Sequence, residues 1–137
     1  MAGGILLNYL RMKELTGKLK FKGPGVIIGA PDSIEVEFTK IGFTTLFKVD
    51  VKSNYTIIFV NNEKELVDFF NLGLKSTEYD SVLWIAYPKG SSGIKTDINR
   101  DIIRSIAVGY GLSTVTAIAV DNTWSALRLR PNDRVGR

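Results

Sequence analysis

The loop that follows the most apolar stretch of the sequence carries side chains suited to binding an anion. Residues 89–97 supply two lysines, two serines and two glycines directly before a predicted helix. Lysine ammonium groups attract negative charge, and the free backbone N–H groups at a helix N-terminus bind phosphates and carboxylates. The loop therefore predicts a site for an anionic or phosphorylated small molecule. A surface loop that only caps a helix is the alternative interpretation.

Two further groups of side chains follow the predicted strands and helices. Asp121 and Trp124 come after a predicted strand, where a wide aromatic ring beside an acid could stack on a flat ligand. We favour Trp124 as a core anchor, because large aromatic side chains more often pack inside a protein. Arg100 and Arg104 lie four residues apart on one predicted helix face, a spacing typical of exposed ion pairs.

Several functional classes are excluded by residue types that the chain lacks. The 137 residues contain no cysteine and no histidine. Disulfides, thiolate or imidazole zinc sites and a Ser-His-Asp triad therefore cannot form. Neither G-x-G-x-x-G nor G-x-x-x-x-G-K-[ST] occurs, so the usual cradles for dinucleotides and nucleoside triphosphates are missing. The sequence names no catalytic residue, no metal ligand and no cofactor, and it leaves open whether the protein is an enzyme.

The charge distribution bears on the class of partner. The net charge is +4, and residues 128–137 hold four arginines against one aspartate. We expect this arginine-rich end to be solvated and the body to be nearly neutral, which argues against nucleic acid as a partner. No apolar run approaches the roughly 20 residues that span a bilayer. The start lacks a basic leader pattern, so we expect a cytoplasmic protein without a membrane partner.

The elements that must position these groups alternate along the chain. Apolar runs bounded by turn residues predict six strands, over 25–30, 44–49, 55–60, 81–87, 114–120 and 125–130. Asn62 and Glu65 form a capping box before a helix over about 63–73. Thr96 or Asp97 is predicted to cap the next helix.

The segment 31–43 fits two structures. Ile34, Val36 and Phe38 alternate as in a strand, whereas Ile34, Phe38 and Ile41 have helical spacing with Pro31 at the first position. We prefer the helix. The whole order predicts an α/β fold with a doubly wound, mostly parallel sheet of about six strands, one antiparallel C-terminal strand and helices on both faces.

The predicted domain organisation is simple. One domain covers 22–131, a basic tail covers 132–137, and 1–21 forms a short helix packed on the domain through Leu6, Leu10 and Met12. In such sheets, ligands bind at the carboxyl ends of the strands, near the point where the strand order reverses.

Four motifs in the second half of the chain resemble a known family. They are Leu83-Trp-Ile-Ala-Tyr-Pro-Lys89, Lys95-Thr-Asp97, Arg104, and Val120-Asp-Asn-Thr-Trp-Ser-Ala-Leu127. This pattern resembles the bacterial family catalogued as domain of unknown function 3052, and the Gly29-Ala-Pro31 turn also matches. The resemblance covers roughly residues 15 to 130. It implies a Rossmann-like domain and a helix over 31–43, and it implies no particular activity.

The loop and the family-matching positions together give the candidate ligand-binding residues: Lys89, Ser91, Ser92, Lys95, Thr96, Asp97, Arg104, Asp121, Trp124 and Ser125. The predicted function is binding of an anionic small molecule at the carboxyl edge of the sheet. One alternative is a reduced S-adenosylmethionine-dependent methyltransferase-like domain, with the cofactor above Gly29 and Asp50. Another is a non-catalytic module that forms a homodimer or binds a partner through its edge strand and arginine-rich end.

Overall fold

The order of helices and strands is given by a computed structural model that describes residues 2–48 and 50–137. Side chains are described for 9–48 and 50–137. The elements are α1 (Ala2–Leu19), β1 (Gly25–Ile28), α2 (Asp32–Lys40), β2 (Phe43–Thr44), β3 (Ser53–Phe59), α3 (Glu63–Leu72), β4 (Thr77–Pro88), α4 (Arg100–Val108), β5 (Leu112–Ala119) and β6 (Trp124–Pro131). Short 3₁₀ turns follow α3, β4 and β6.

The six strands form one sheet in the order β2-β1-β3-β4-β6-β5. Strands β1 to β4 are parallel, and β6 runs antiparallel to both of its neighbours, β4 and β5. The predicted mostly parallel sheet with one antiparallel strand is therefore confirmed. The chain passes from β1 to β2 on one side and then to β3 on the other side. The switch point in strand order consequently lies between β1 and β3.

Helices cover both faces of the sheet, as predicted, because successive strand residues point to opposite faces. On β3, Tyr55, Ile57 and Phe59 pack in one core cluster with residues of α1 and α2. Ile58 and Val60 pack in the second cluster with residues of α3 and α4. The central strands are thus buried on both sides, as parallel strands in doubly wound sheets are.

Side chains cap the N-termini of α3 and α4. Asn62 Oδ1 accepts a hydrogen bond from Glu65 N at 2.9 Å, which confirms the predicted cap of α3. For α4 the prediction of Thr96 or Asp97 is wrong. Asn99 caps this helix, with its Oδ1 accepting from Ile102 N at 2.9 Å. The segment after β1 is helical, as preferred, and Pro31 precedes its first residue instead of occupying that position.

Helix α1 packs on the sheet, and the predicted packing face is confirmed only at Met12. Met12, Leu15 and Leu19 are buried in the first core cluster. Leu10 is 51% exposed, and the side chain of Leu6 lies outside the described residues. No helix in the described part of the chain is long and apolar enough to cross a membrane.

The arginine-rich end is solvated only in its last part, because residues 132–137 are exposed as predicted, whereas Arg128 and Arg130 are partly buried. Arg128 and Arg130 belong to β6. The Arg130 guanidinium donates to both carboxylate oxygens of Asp80, at 3.0 and 2.9 Å, and Arg134 Nε donates to the same carboxylate at 3.2 Å. The Asp80 and Arg130 side chains are only 18% exposed. Paired guanidinium and carboxylate groups therefore fasten the C-terminal residues to β4.

The ion pairs of Asp80 with Arg130 and Arg134 predict that the free energy of unfolding depends on pH. Hydrogen bonds from Arg130 lower the pKa of Asp80. A depressed native pKa stabilises the fold above the unfolded pKa of about 4, and this stabilisation is lost as the pH falls through the native pKa. Asp80→Asn keeps a residue that tolerates the left-handed backbone at φ 56°. We expect this substitution to lower the free energy of unfolding by about 1 kcal/mol at neutral pH.

Urea denaturation of the wild type and of Asp80→Asn, repeated from neutral to acidic pH, measures this pH dependence. The difference in unfolding free energy should shrink as the pH falls below about 4. Glu78→Gln, at an exposed carboxylate on β4 that is in none of the ion pairs among the described residues, is the matched control. A difference that stays constant at every pH would contradict the ion-pair account.

Candidate functional site

Two of the predicted residues, Thr96 and Asp97, bind backbone groups of the loop that follows β3. Thr96 Oγ1 donates to the Asn61 carbonyl oxygen at 2.7 Å. Asp97 Oδ1 accepts from the backbone N–H of Glu63 at 2.7 Å, at the N-terminus of α3. A carboxylate of the chain itself therefore occupies the helix end that could hold an external anion. These two side chains join the loop after β4 to the loop after β3.

An open cleft of about 690 Å³ remains at this edge. Lys95 is the cation among its described lining residues, which are Asn62, Gly90, Ile94, Lys95, Thr96, Asp97, Ile98 and Asn99. Ser91 is exposed nearby, and Ser92 Oγ accepts from Ile94 N at 3.2 Å, which stabilises the turn. The cleft thus offers one lysine beside a carboxylate.

Most of the remaining predicted residues surround the turn between β5 and β6. Asp121 Oδ1 accepts from the backbone N–H groups of Thr123 and Trp124, at 2.8 and 2.7 Å. The backbone N–H of Lys89 donates to the Thr123 carbonyl at 2.8 Å. Ser125 pairs with Tyr87 across the sheet, and burial raises the pKa of the Tyr87 hydroxyl. These contacts build a turn.

Arg104 is separate from that edge, and the Trp124 side chain lies in the core beneath it. Arg104 Nε donates to Thr114 Oγ1 at 3.2 Å, which attaches α4 to the early part of β5. Trp124 is 5% exposed, and its ring lies edge-on to Phe59 with centroids 5.1 Å apart. The favoured interpretation of Trp124 as a core anchor is confirmed, and its side chain leaves little surface for a ligand.

The opposite edge of the sheet holds a pocket of about 650 Å³. It lies at the amino ends of β1 and β3, beside the connection that follows β2. Four lysines border it, namely Lys20, Lys22, Lys48 and Lys52. The other described lining residues are uncharged: Gly23, Pro24, Gly25, Val26, Thr44, Leu46, Phe47, Val51, Ser53, Asn54 and Tyr55. We call this feature the basic pocket.

The end of α1 forms one wall of the basic pocket. Phe21 N donates to the Thr16 carbonyl at 3.0 Å and Lys20 N donates to the Gly17 carbonyl at 3.2 Å, the two bonds of a Schellman helix end. Lys20 takes the left-handed conformation there, with φ 54°. Glycine is the usual residue at this position because L side chains are strained in it. A lysine side chain is therefore held at a place where the backbone favours glycine.

An aromatic cluster fixes that wall to the sheet. Tyr55 OH donates to the Leu19 carbonyl at 2.7 Å, and burial raises the pKa of this hydroxyl, so it stays protonated as a donor. Phe21 stacks on Phe43 with centroids 3.9 Å apart. Both rings lie over Gly25, where a Cβ atom would come within 2.7 Å of Phe21. Only glycine allows this close packing.

The connection from β2 to β3 forms the other wall. Phe47 is partly buried against the second core cluster, with its ring centroid 6.3 Å from that of Phe69. Leu46 and Val51 are 69% and 59% exposed, although both are large and apolar. The Phe47 ring thus anchors this wall to the core, and the rest of the wall exposes aliphatic side chains and two lysines.

Within the described part of the chain, the four lysines form no ion pair with an acidic side chain. None of the ion pairs formed by described residues involves them. Asp50 lies in the same connection but is not among the described lining residues. A cleft lined by charges of one sign concentrates the field and attracts counter-ions. The basic pocket is therefore the part of the described structure best suited to hold an anion.

Sequence reasoning missed these lysines for a definite reason. They come from two segments, 20–22 and 48–52, that are far apart along the chain and meet only through the pairing of β1 with β2 and β3. The available signal was local composition, because these short segments carry lysines outside the arginine-rich end. Without the strand order, nothing in the sequence brings the two segments together.

The predicted cofactor position above Gly29 and Asp50 is wrong in its geometry. Gly29 follows the carboxyl end of β1, at φ 71°, where a Cβ atom would lie 2.8 Å from the Phe59 carbonyl oxygen. Asp50 lies between residues that line the basic pocket at the amino edge. The two residues therefore belong to opposite edges of the sheet.

Comparison with known proteins shows a shared fold. The chain is similar to the ribosomal protein L11 methylase of Lactobacillus delbrueckii subsp. bulgaricus, with TM-score 0.57 and 10% identity over 91% of this chain and 77% of that chain. Phosphoethanolamine N-methyltransferase 2 of Haemonchus contortus, solved with S-adenosyl-L-methionine, gives TM-score 0.48 and 14% identity, over 90% and 37%. No family model and no curated protein sequence matches the chain. The fold is Rossmann-like, as in the L11 methylase.

The buried position of Trp124 yields a stability prediction. Trp124→Ala should lower the free energy of unfolding by about 3–5 kcal/mol, because it empties a large buried aromatic site beside Phe59. Urea denaturation measures the loss, with Lys89→Ala as the surface control. A loss below about 1 kcal/mol would contradict the role of Trp124 as a core anchor.

Proposed function

We propose that the protein binds a small anionic molecule and that the basic pocket is its binding site. One observation carries this proposal, namely four lysines without acidic partners around a pocket of about 650 Å³. Exposed protein faces normally intersperse charges of both signs. Here the described lining residues supply positive charge alone, so an anion would relieve the repulsion among the lysines.

The proposal keeps the predicted class of ligand and changes the predicted edge. At the carboxyl edge, Lys95 shares its cleft with Asp97, whose carboxylate already accepts from the N-terminus of α3. A bound anion there would meet one lysine and a nearby negative charge. The lysine count and the absence of carboxylates among the described lining residues both favour the basic pocket.

Lys20 gives the sharpest test. Glycine at this left-handed position removes the charge and also relieves the backbone strain, which is about 1–2 kcal/mol for an L residue. Lys20→Gly should therefore leave the melting temperature unchanged or higher. Its affinity for inorganic pyrophosphate should fall about fivefold or more, as expected for the loss of a charge-assisted contact.

Calorimetric titration with inorganic pyrophosphate at low ionic strength measures the affinity, and added salt should weaken it because exposed charges are screened. Lys52→Gln should act in the same direction as Lys20→Gly. Lys95→Gln and Lys89→Gln are the matched controls at the other edge. Binding that is weakened by the two control variants, and not by Lys20→Gly or Lys52→Gln, would overturn the proposed site.

S-adenosylmethionine binding is a second candidate function, supported by the fold shared with the L11 methylase. Its site would be the carboxyl edge near the switch point between β1 and β3. The turn from β1 to α2 spans only Gly29 to Pro31 and has no glycine-rich cradle, which weighs against this candidate. Titration of S-adenosylmethionine decides the matter. Binding that pyrophosphate does not displace would support it, and no heat at millimolar concentration would remove it.

Two earlier interpretations stay proposals. The motifs that resemble domain of unknown function 3052 lie between residues 83 and 127, apart from the lysines of the basic pocket. Arg104 lies on α4 and the other three motifs reach the paired turns at the carboxyl edge, so within this proposal they serve the fold. Self-association would use β5, which forms one edge of the sheet.

A further inference from the structure

We infer that the ligand of the basic pocket is an amphipathic anion, a molecule that joins a negatively charged head to an aliphatic chain. This inference rests on the proposed function and specifies the class of molecule. Its basis is that the same pocket combines unpaired lysines with exposed aliphatic side chains, and that the Ser53 and Tyr55 hydroxyls in its lining are already hydrogen-bonded within the protein.

The size of the pocket points beyond a simple anion. Ligand pockets for small organic molecules measure about 300–1,000 Å³, and the basic pocket has about 650 Å³. An inorganic phosphate would contact only part of the lining. A molecule that fills the pocket needs a second portion besides the charged group.

The apolar lining indicates what that second portion is. Pro24, Val26, Leu46 and Val51 supply aliphatic surface, and Phe47 supplies a ring. Leu46 and Val51 are more than half exposed, so water covers their side chains in the unliganded protein. An aliphatic chain laid against them would remove this apolar surface from water, which is favourable.

The hydrogen bonds of the pocket argue against a sugar or a nucleobase. Ser53 Oγ donates to the Tyr55 carbonyl and accepts from Tyr55 N and Thr56 Oγ1. Tyr55 OH is bound to the Leu19 carbonyl, and Thr44 Oγ1 accepts from Leu46 N. The Ser53 and Tyr55 hydroxyls are thus already engaged, while the Thr44 O–H and the Asn54 amide keep donor capacity. A ligand rich in hydroxyls or ring nitrogens would find few polar side chains besides these two and the lysines, whereas an aliphatic chain needs none.

The lysines then bind the head. Lys20 and Lys22 lie on the α1 wall, and Lys48 and Lys52 lie on the opposite wall with the exposed aliphatic residues. Long lysine side chains keep their ammonium groups in water while their methylene stems cover apolar surface. The charged head would therefore sit at the rim, and the chain would run over the apolar lining.

Methyl phosphate and octyl phosphate, used as monomers below micelle formation, test the inference because they share one head group. Calorimetry should give octyl phosphate an affinity at least about tenfold higher than methyl phosphate. The Leu46→Ser, Val51→Ser double variant should bring this affinity ratio close to one. Leu72→Ser, Val108→Ser is the matched control, since these side chains are 68% and 58% exposed on α3 and α4, and it should keep the ratio.

Three results would overturn the inference. If pyrophosphate binds in its own titration and the two alkyl phosphates bind with equal affinity, the proposed function stands and the aliphatic portion of the ligand is refuted. Adenosine monophosphate bound more tightly than octyl phosphate would identify a nucleotide site instead. Binding to vesicles of phosphatidylglycerol without binding to monomeric octyl phosphate would identify a membrane surface. If pyrophosphate and octyl phosphate both fail to bind, the proposed function itself is refuted.

Discussion

A single buried hydrogen bond, from the Tyr55 hydroxyl to the Leu19 carbonyl, joins helix α1 to the centre of the sheet. It satisfies a carbonyl group at the helix end, where the backbone has no partner of its own. The aromatic rings of Phe21 and Phe43 complete the junction by stacking over Gly25. The positions of Lys20 and Lys22 follow from this junction, because both flank the same turn. This junction therefore fixes the α1 wall of the basic pocket relative to the sheet.

The two edges of the sheet use their polar groups in different ways. At the carboxyl edge, side chains of the loops cap the helices, because Asn62, Asp97 and Asn99 accept hydrogen bonds from backbone N–H groups at the helix N-termini. These bonds make the connections rigid and leave little free capacity for a ligand. At the amino edge, the lysines have no such partners among the described residues. Ligand binding at this edge departs from the usual habit of α/β sheets, in which the carboxyl ends carry the site.

Much of the fold could be predicted because local signals agreed with the tertiary structure. The apolar run before Pro88 is central strand β4, and Asn62 with Glu65 marked the start of α3. The cap of α4 was misplaced because Thr96, Asp97 and Asn99 are all good caps. Only the tertiary structure shows that Asp97 serves α3 instead.

The candidate site could not be predicted in the same way. The lysines on its two walls meet through β2, which is only two residues long, and through the crossover to β3. The arginine-rich end shows the same limit, because its sequence does not reveal that Arg130 and Arg134 are paired with Asp80. Pairing between distant residues decides which charges remain free, and sequence spacing alone does not contain it.

The central claim is that an anion binds at the amino edge of the sheet and not at the carboxyl edge. Backbone amide chemical shifts, recorded by NMR while inorganic pyrophosphate is added, test this claim most directly. Residues at the amino edge and at the carboxyl edge are observed in the same spectra. The account predicts that the shifts change for residues 20–26 and 44–55 and stay unchanged for 89–99. Changes confined to 89–99 would contradict it.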